Sequence, residues 1–243
     1  YLTQGLNVLY ITLEMAEERI AERIDANLLD VSMEDLHVMP KDMYDSRMKK
    51  LTDKTIGKLI IKEYPTASAH SGHFKSLINE LALKKSFKPD VIFIDYLNIC
   101  SSARFKGGNI SSYFYIKAIA EELRGLAVEA NVPIFSATQT TRTGFVSTDL
   151  GLEDTSESFG LPATADFMFA LMSNEELEKL GQMKVKQLKN RYNDPSVNRA
   201  FIIGVDRSKM RLYDVQQSSQ NIVDANQVEQ KEDAYNKFSD FKL

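Results

Sequence analysis

Val91-Ile92-Phe93-Ile94-Asp95 is a run of four apolar residues closed by a carboxylate, preceded at Pro89 by a residue that punctuates the chain. Such a short apolar run, rich in β-branched and aromatic side chains, reads as a strand buried on both faces of a parallel sheet. Its terminal acid would then stand at the carboxyl edge of that sheet, where open α/β sheets bind their ligands. A Walker B strand has this form and offers its acid to a nucleotide-bound Mg²⁺. The partner motif GxxxxGK[ST], whose backbone N–H groups and lysine cradle phosphates, does not occur in the sequence.

Working outward from Asp95, the chain alternates strand and helix patterns. Leu6 to Leu13 is a β-rich run after Gly5, and Ala16, Ile20, Ile24 and Leu28 then recur at helical spacing. Tyr1 to Gln4 read as the end of a helix closed by Gly5, so the chain is expected to start inside an element. Val31 to Thr55 is charged and Met-rich and predicts helix; Lys58 to Tyr64 predicts a strand stopped by Pro65. Phe74, Leu77, Ile78 and Leu81 mark the next helix. After a polar loop from Ser101 to Ser112, another helix places Ile116, Ile119, Ala120, Leu123, Leu126 and Ala127 on one face. Pro133 to Gln139 predicts a strand that ends in an amide.

Thr140 to Pro162 is polar and too long for an ordinary connector, which marks it as a functional loop. Strands are expected at Asp166 to Met172, Met183 to Leu188, Arg199 to Val205 and Met210 to Val215, with a short acidic helix after the first. Beyond Gln216 the composition turns to Gln, Asn, Ser, Asp and Glu, the signature of a segment with too little apolar surface to fold alone. The fold class expected is therefore α/β, a mostly parallel sheet with helices on both faces and antiparallel C-terminal strands. The domain expected is 1–215, with 216–243 as a polar tail.

Composition narrows the function. A chain of 243 residues with 43% apolar content can bury one sizeable core, and a net charge of −4 gives no global basic signature for coating duplex nucleic acid. Cys100 is the single cysteine, suits a reducing compartment, and as a buried thiol needs no further role. No apolar run has the length of a membrane span and no secretory signal pattern opens the chain, so a cytoplasmic location is expected. His70-Ser71-Gly72-His73 lacks a cysteine or carboxylate at zinc-site spacing and reads as a loop.

The ordered set Leu9 to Met15, Asp95, Gln139, Glu153 to Ser158 before Ala165-Asp166, and Lys189-Asn190-Arg191 resembles the DnaB-type hexameric replicative helicases. Within that family the segments Ile119 to Arg124 and Gly160 to Met168 are most similar to the T-even bacteriophage branch. The resemblance runs from Tyr1 to about Val215. It implies a RecA-like P-loop NTPase core from which the Walker A strand and loop are missing. It also implies an ATP-dependent, 5′–3′ type replicative helicase motor that uses Mg²⁺ and ATP or another NTP.

By the same resemblance, Glu14 polarises the attacking water, a task for a carboxylate within hydrogen-bond reach. Asp95 holds Mg²⁺ through coordinated water, since that ion keeps much of its hydration shell. Gln139 reports the γ-phosphate to the loop that follows it. Lys189 and Arg191 reach into the neighbouring subunit's site, where an arginine finger is worth roughly 10³ to 10⁵ in rate in related enzymes. Partners implied are single-stranded DNA, identical subunits in a hexamer, a primase and a helicase loader, in the host-cell cytoplasm if phage-encoded. Candidate DNA contacts are Ser156, Glu157, Phe159 and Gly160, through main-chain N–H groups, with Arg104, Lys106 and Arg142 as pore residues. The sequence departs from the bacterial pattern at Ser156, where Arg is frequent, and at Phe159, where Gly is frequent. Two other readings remain beside this one: a non-catalytic fragment or assembly module of such a helicase, and another RecA-family ATPase.

Overall fold

The apolar run that ends at Asp95 forms β3 (Val91–Asp95) in the computed structural model, which describes residues 1–53, 57–105, 110–140, 151–152, 160–194 and 197–216. Two units are distinguished. The first comprises Tyr1–Ala165 and Ser208–Met210, the second Asp166–Arg207 and the described residues from Arg211 onward.

In the first unit β3 lies beside β1 (Val8–Thr12), and the parallel sheet is completed by β2 (Leu59–Glu63) and β4 (Ile134–Ser136) in the order β2-β1-β3-β4. Of the two inner strands β1 is the drier, with Leu9, Ile11 and Thr12 all 0% exposed. Helices connect the strands as parallel pairing requires. They are α1 (Glu17–Leu29), α2 (Met33–Val38), α3 (Lys41–Thr52), α4 (Ser71–Lys85) and α5 (Ser112–Ala130). Phe74, Leu77 and Leu81 of α4 and Ile116, Ile119, Ala120, Leu123 and Leu126 of α5 are buried, as their spacing predicts. On α1 the buried positions are Ile20 and Ala26, with Ile24 and Leu28 half-buried.

On one sheet face runs a row in strict register, Ile61 beside Tyr10, Tyr10 beside Phe93, Phe93 beside Phe135. The Phe93 and Phe135 rings stack with centroids 5.3 Å apart, and Tyr1 lies 5.9 Å from Phe93. Tyr1 is brought there by a single 3₁₀ turn, Leu2–Gln4, which closes on Gly5 at φ 83°, a left-handed conformation that glycine adopts without penalty.

Three expectations are corrected. The stretch from Val31 is two helices rather than one, because Pro40 cannot continue α2 and instead caps α3; Lys54 and Thr55 lie outside the described residues. The His70-Ser71-Gly72-His73 segment is the start of α4, not a loop. The His70 Nδ1 accepts the Gly72 N–H at 3.0 Å and the His73 Nδ1 accepts the His70 N–H at 3.2 Å, so imidazoles serve as the capping groups. The strand expected over Pro133 to Gln139 pairs only at Ile134–Ser136, after which the chain leaves the ladder.

The second unit is an antiparallel sheet of its own, β5 (Phe167–Met172), β6 (Gln182–Asn190), β7 (Ala200–Asp206) and β8 (Arg211–Asp214), joined in sequence order. The acidic helix Glu175–Lys179 follows β5 and is capped by Asn174, whose side chain accepts the Leu177 N–H at 2.8 Å. The register slips between Met168 and Phe169, a local irregularity of the bulge kind.

Candidate functional site

Parallel pairing brings the carboxyl ends of β1, β3 and β4 to one edge. Thr12 pairs with Asp95 and Ile94 with Ser136, so Glu14, Asp95 and Gln139 all follow from the same end of the sheet. Two backbone bonds join the segments just past the strands: Leu13 N–H to the Asp95 carbonyl at 2.9 Å, and Leu97 N–H to the Ala137 carbonyl at 3.2 Å. The structure thus gathers three of the sequence candidates at one edge.

Each is held by a distinct local device. Thr12 is fully buried; its hydroxyl accepts the Met15 N–H at 3.0 Å and donates to the Met15 carbonyl at 2.8 Å, closing the turn that carries Glu14. Thr66, from the loop after β2, donates to the Leu13 carbonyl at 2.7 Å. Glu14 itself is exposed beyond this braced turn. The Asp95 Oδ2 accepts the Tyr10 phenol at 2.9 Å, a diagonal contact from the neighbouring strand. Burial, then the bond to Asp95 and its charge, push the Tyr10 phenol well above its ordinary range, so it stays a donor. Gln139 Nε2 donates to the Tyr96 hydroxyl at 3.1 Å, which links the amide to the residue next to Asp95.

Sequence reading missed Tyr10 and Tyr96. Tyr10 satisfies a strand pattern as well as any apolar residue, and only the register of β1 against β3 shows where its hydroxyl arrives. Tyr96 had a visible signal, its place directly after the acid.

Among the described residues no three His, Cys, Asp or Glu side chains gather as a metal cage. Asp95, with one oxygen engaged by Tyr10, fits a Mg²⁺ that keeps its waters and takes its remaining ligands from phosphates, the usual pattern for this ion. Two polar atoms on the segments after β3 and β4, Asn98 Oδ1 and Thr138 Oγ1, are buried without a hydrogen-bond partner among the described residues. Unsatisfied groups of this kind are uncommon in native proteins, and a third, Gln182 Oε1, lies on β6.

Lys189 and Arg191 belong to the second unit, Lys189 on β6 and Arg191 just past its end. Arg191 is ion-paired with Asp166 at 2.8 Å. Arg104 is paired with Glu121 at 2.6 Å. Gly160 is buried at the start of the short helix Gly160–Thr164, where an added Cβ would stand 2.7 Å from the Lys117 side chain. Lys106, Arg142, Ser156, Glu157 and Phe159 lie outside the described residues. No helix among the described residues is long and apolar enough to cross a membrane.

Comparison with known proteins follows this geometry. The family described as DnaB-like helicase C terminal domain matches residues 1–208. The chain is 46% identical over 223 residues to a DnaB-like replicative helicase of Enterobacteria phage T4, covering 90% of this chain and 47% of that protein. It is 34% identical over 143 residues to a probable plasmid replicative DNA helicase of Chlamydia trachomatis, covering 58% of this chain and 30% of that protein. The chain therefore spans less than half the length of these curated relatives. Among solved structures, the ATPase domain of G40P superposes with a TM-score of 0.72 at 16% identity, over 88% of this chain and 76% of that one. A DnaB-like replicative helicase described with its interactions with primase gives a TM-score of 0.71 at 17% identity, over 88% and 52%. At such identities the two structures establish a shared fold, the RecA-like core of helicase ATPase domains.

Proposed function

Because the chain belongs to the DnaB-like helicase C-terminal domain family, we propose that it is the motor portion of a phage-type replicative DNA helicase. The motor hydrolyses ATP or another NTP at subunit interfaces of a hexamer and moves along single-stranded DNA. The observation that carries this reading is the convergence of Glu14, Asp95 and Gln139 at one sheet edge, each held by its own contacts. A bound Mg²⁺–nucleotide would supply an electrophilic γ-phosphorus and a metal that screens its charge. Asp95 would hold that metal, and Tyr10, bonded to its Oδ2, restrains the carboxylate. Glu14, exposed on its braced turn, accepts the proton side of the attacking water. Gln139 donates an amide hydrogen toward phosphate without adding charge. Arg191, with Lys189, acts on the neighbouring subunit's nucleotide.

Primase and loader contacts, and action in the cytoplasm of an infected host, are part of the same proposal. Arg104 and the loop residues Lys106, Arg142, Ser156, Glu157, Phe159 and Gly160 are proposed to line the DNA path.

A second reading concerns this chain by itself. The sequence holds no GxxxxGK[ST], so it lacks the nest of N–H groups and the lysine that bind β- and γ-phosphates, and we propose that it does not hydrolyse nucleotide alone. Among the described residues β4 stands at an edge of the sheet with Phe135 39% exposed, which is consistent with a sheet that accepts a further strand there. Two measurements test these readings. In the complete helicase polypeptide, Arg191→Ala should abolish DNA-stimulated hydrolysis and leave nucleotide binding intact; wild-type turnover would refute the motor assignment of Arg191. Micromolar ATP binding by the 243-residue chain alone would refute the second reading.

A further inference from the structure

The end of β6 is fastened to the start of β5 by ladder pairing and by Arg191 just beyond it. Phe167 pairs with Asn190 as the last step of the ladder. One residue further, the Arg191 N–H donates to the Asp166 carbonyl at 3.0 Å, and Arg191 Nη1 donates to Asp166 Oδ1 at 2.8 Å. Main chain and side chain of Arg191 are therefore gripped by the same partner. Asn190 shapes the turn beyond: its side-chain oxygen accepts the N–H groups of Tyr192 at 3.0 Å and Asn193 at 3.1 Å, and its Nδ2 donates to Gln187 Oε1 at 3.0 Å.

We propose that Asp166 is a positioning residue for Arg191, restraining the direction of its guanidinium before a neighbouring subunit's nucleotide arrives; this rests on the reading of Arg191 as the trans-acting arginine. The pair's side chains are 40% and 32% exposed, so as an ion pair it adds little to folding and is screened by salt. Its consequence is geometric. A guanidinium is a rigid planar fork of five N–H donors, so a bond that restrains one nitrogen narrows the directions open to the others. Asn190 holds the backbone from which the side chain departs, and Asp166 holds its head. A flexible arginine would have to be ordered at each catalytic encounter, and a misplacement of about 1 Å at a reacting centre costs of the order of 10²-fold in rate.

The test uses the assembled complete helicase. Asp166→Asn should lower DNA-stimulated kcat by of the order of 10²-fold with KM for ATP little changed. Combined with Arg191→Ala it should add nothing, because both changes remove one function. Mixing supplies the readout that loss of fold cannot mimic. Subunits carrying Glu14→Gln retain the Asp166–Arg191 pair, and subunits carrying Asp166→Asn retain Glu14. Mixed rings should therefore hydrolyse faster than either parent ring. Asp166→Glu, which keeps the carboxylate, should recover part of the rate. If Asp166→Asn turns over like wild type in rings that Arg191→Ala silences, or runs faster, the proposal fails while the arginine assignment stands. Failure of mixed rings to recover, with both variants assembled, also overturns it. If Arg191→Ala itself is fully active, the underlying reading falls instead.

Discussion

Replacing Glu122 should loosen the loop that follows β3 by an amount the contacts allow to be worked out. Its carboxylate accepts the Ser102 hydroxyl at 2.6 Å, the Ala103 N–H at 2.9 Å, the Arg104 N–H at 3.3 Å and the Ser71 hydroxyl at 3.2 Å. Ser102 is 5% exposed, and its own N–H donates to the Tyr115 hydroxyl at 3.1 Å. A hydrogen bond to a charged acceptor contributes about 1.5–3 kcal/mol, and a buried hydroxyl left unpaired costs about 1–3 kcal/mol. Four donors share two oxygens and part of the group meets water, so these figures do not sum. Glu122→Ala should cost about 3 kcal/mol, and Glu122→Gln, which retains one acceptor oxygen but turns an NH₂ toward donors, about 1.5 kcal/mol. The sign of the pH dependence follows from the same contacts. Burial is the largest single influence and raises the Glu122 pKa, but the bonds from Ser102, Ala103, Arg104 and Ser71 together outweigh it and hold the carboxyl below its ordinary 4.5. A depressed folded pKa means stabilisation present above the unfolded pKa and lost as pH falls through the folded one. Urea titration at neutral pH and again below about pH 4 should show the gap between wild type and Glu122→Gln shrinking on acidification. A gap under about 0.5 kcal/mol at neutral pH, the size of an ordinary surface substitution, or one unchanged by acid, would refute this reasoning.

Gly57→Ala should lower the urea midpoint by the equivalent of about 1–3 kcal/mol, because the new Cβ meets main-chain atoms that cannot swing aside. It would lie 3.0 Å from the Leu2 carbonyl oxygen and 3.0 Å from the Leu6 nitrogen, with the Leu6 oxygen closer still; an unchanged midpoint would contradict the packing. Cys100 is 2% exposed and burial pushes its thiol up to about 12, so an aromatic disulfide reagent should label it only as the chain unfolds. Rapid stoichiometric labelling of the native protein would be the contrary result. Tyr10→Phe removes the phenol bond to Asp95 and, in the complete helicase, should raise the Mg²⁺ concentration for half-maximal hydrolysis by roughly 10-fold. An unaltered Mg²⁺ dependence would remove Tyr10 from the site.

The parts of the fold legible in sequence were those where burial sets the pattern. β1, β2 and β3 lie within the apolar runs that predict them, and α4 and α5 bury residues at the expected 3-and-4 spacing. Pattern says which residues are dry, not which strands are neighbours. The antiparallel C-terminal strands are legible as strands, but that β5 to β8 pair among themselves as a second four-stranded sheet comes only from the structure. β4 was overdrawn for a related reason. Ala137 to Gln139 suit a strand by composition, and the Ala137 carbonyl still accepts the Leu97 N–H, but the register against β3 stops at Ser136 and the Gln139 amide donates to the Tyr96 hydroxyl. His70 was hidden by residue type, since imidazole is seldom the cap that Ser, Thr, Asp or Asn is.

The same distinction separates the residues of the site from those that hold them. Asp95 stands out because a carboxylate closing an apolar run breaks the pattern around it, and a charge in that place needs a reason. Tyr10 breaks nothing: its ring stacks on Phe93 at 6.1 Å as part of the aromatic row, and its function is confined to one hydroxyl. Only when β1 is set against β3, Tyr10 beside Phe93 and Thr12 beside Asp95, does that hydroxyl fall one diagonal step from the acid. Asp166 is the same case in the second unit, an acid before a strand whose partner is 25 positions away in sequence, across the β5–β6 pair. Groups proposed to act on a ligand are thus visible through their chemistry, while the groups proposed to aim them emerge through register, and register is where substitutions at Tyr10 and Asp166 should be felt.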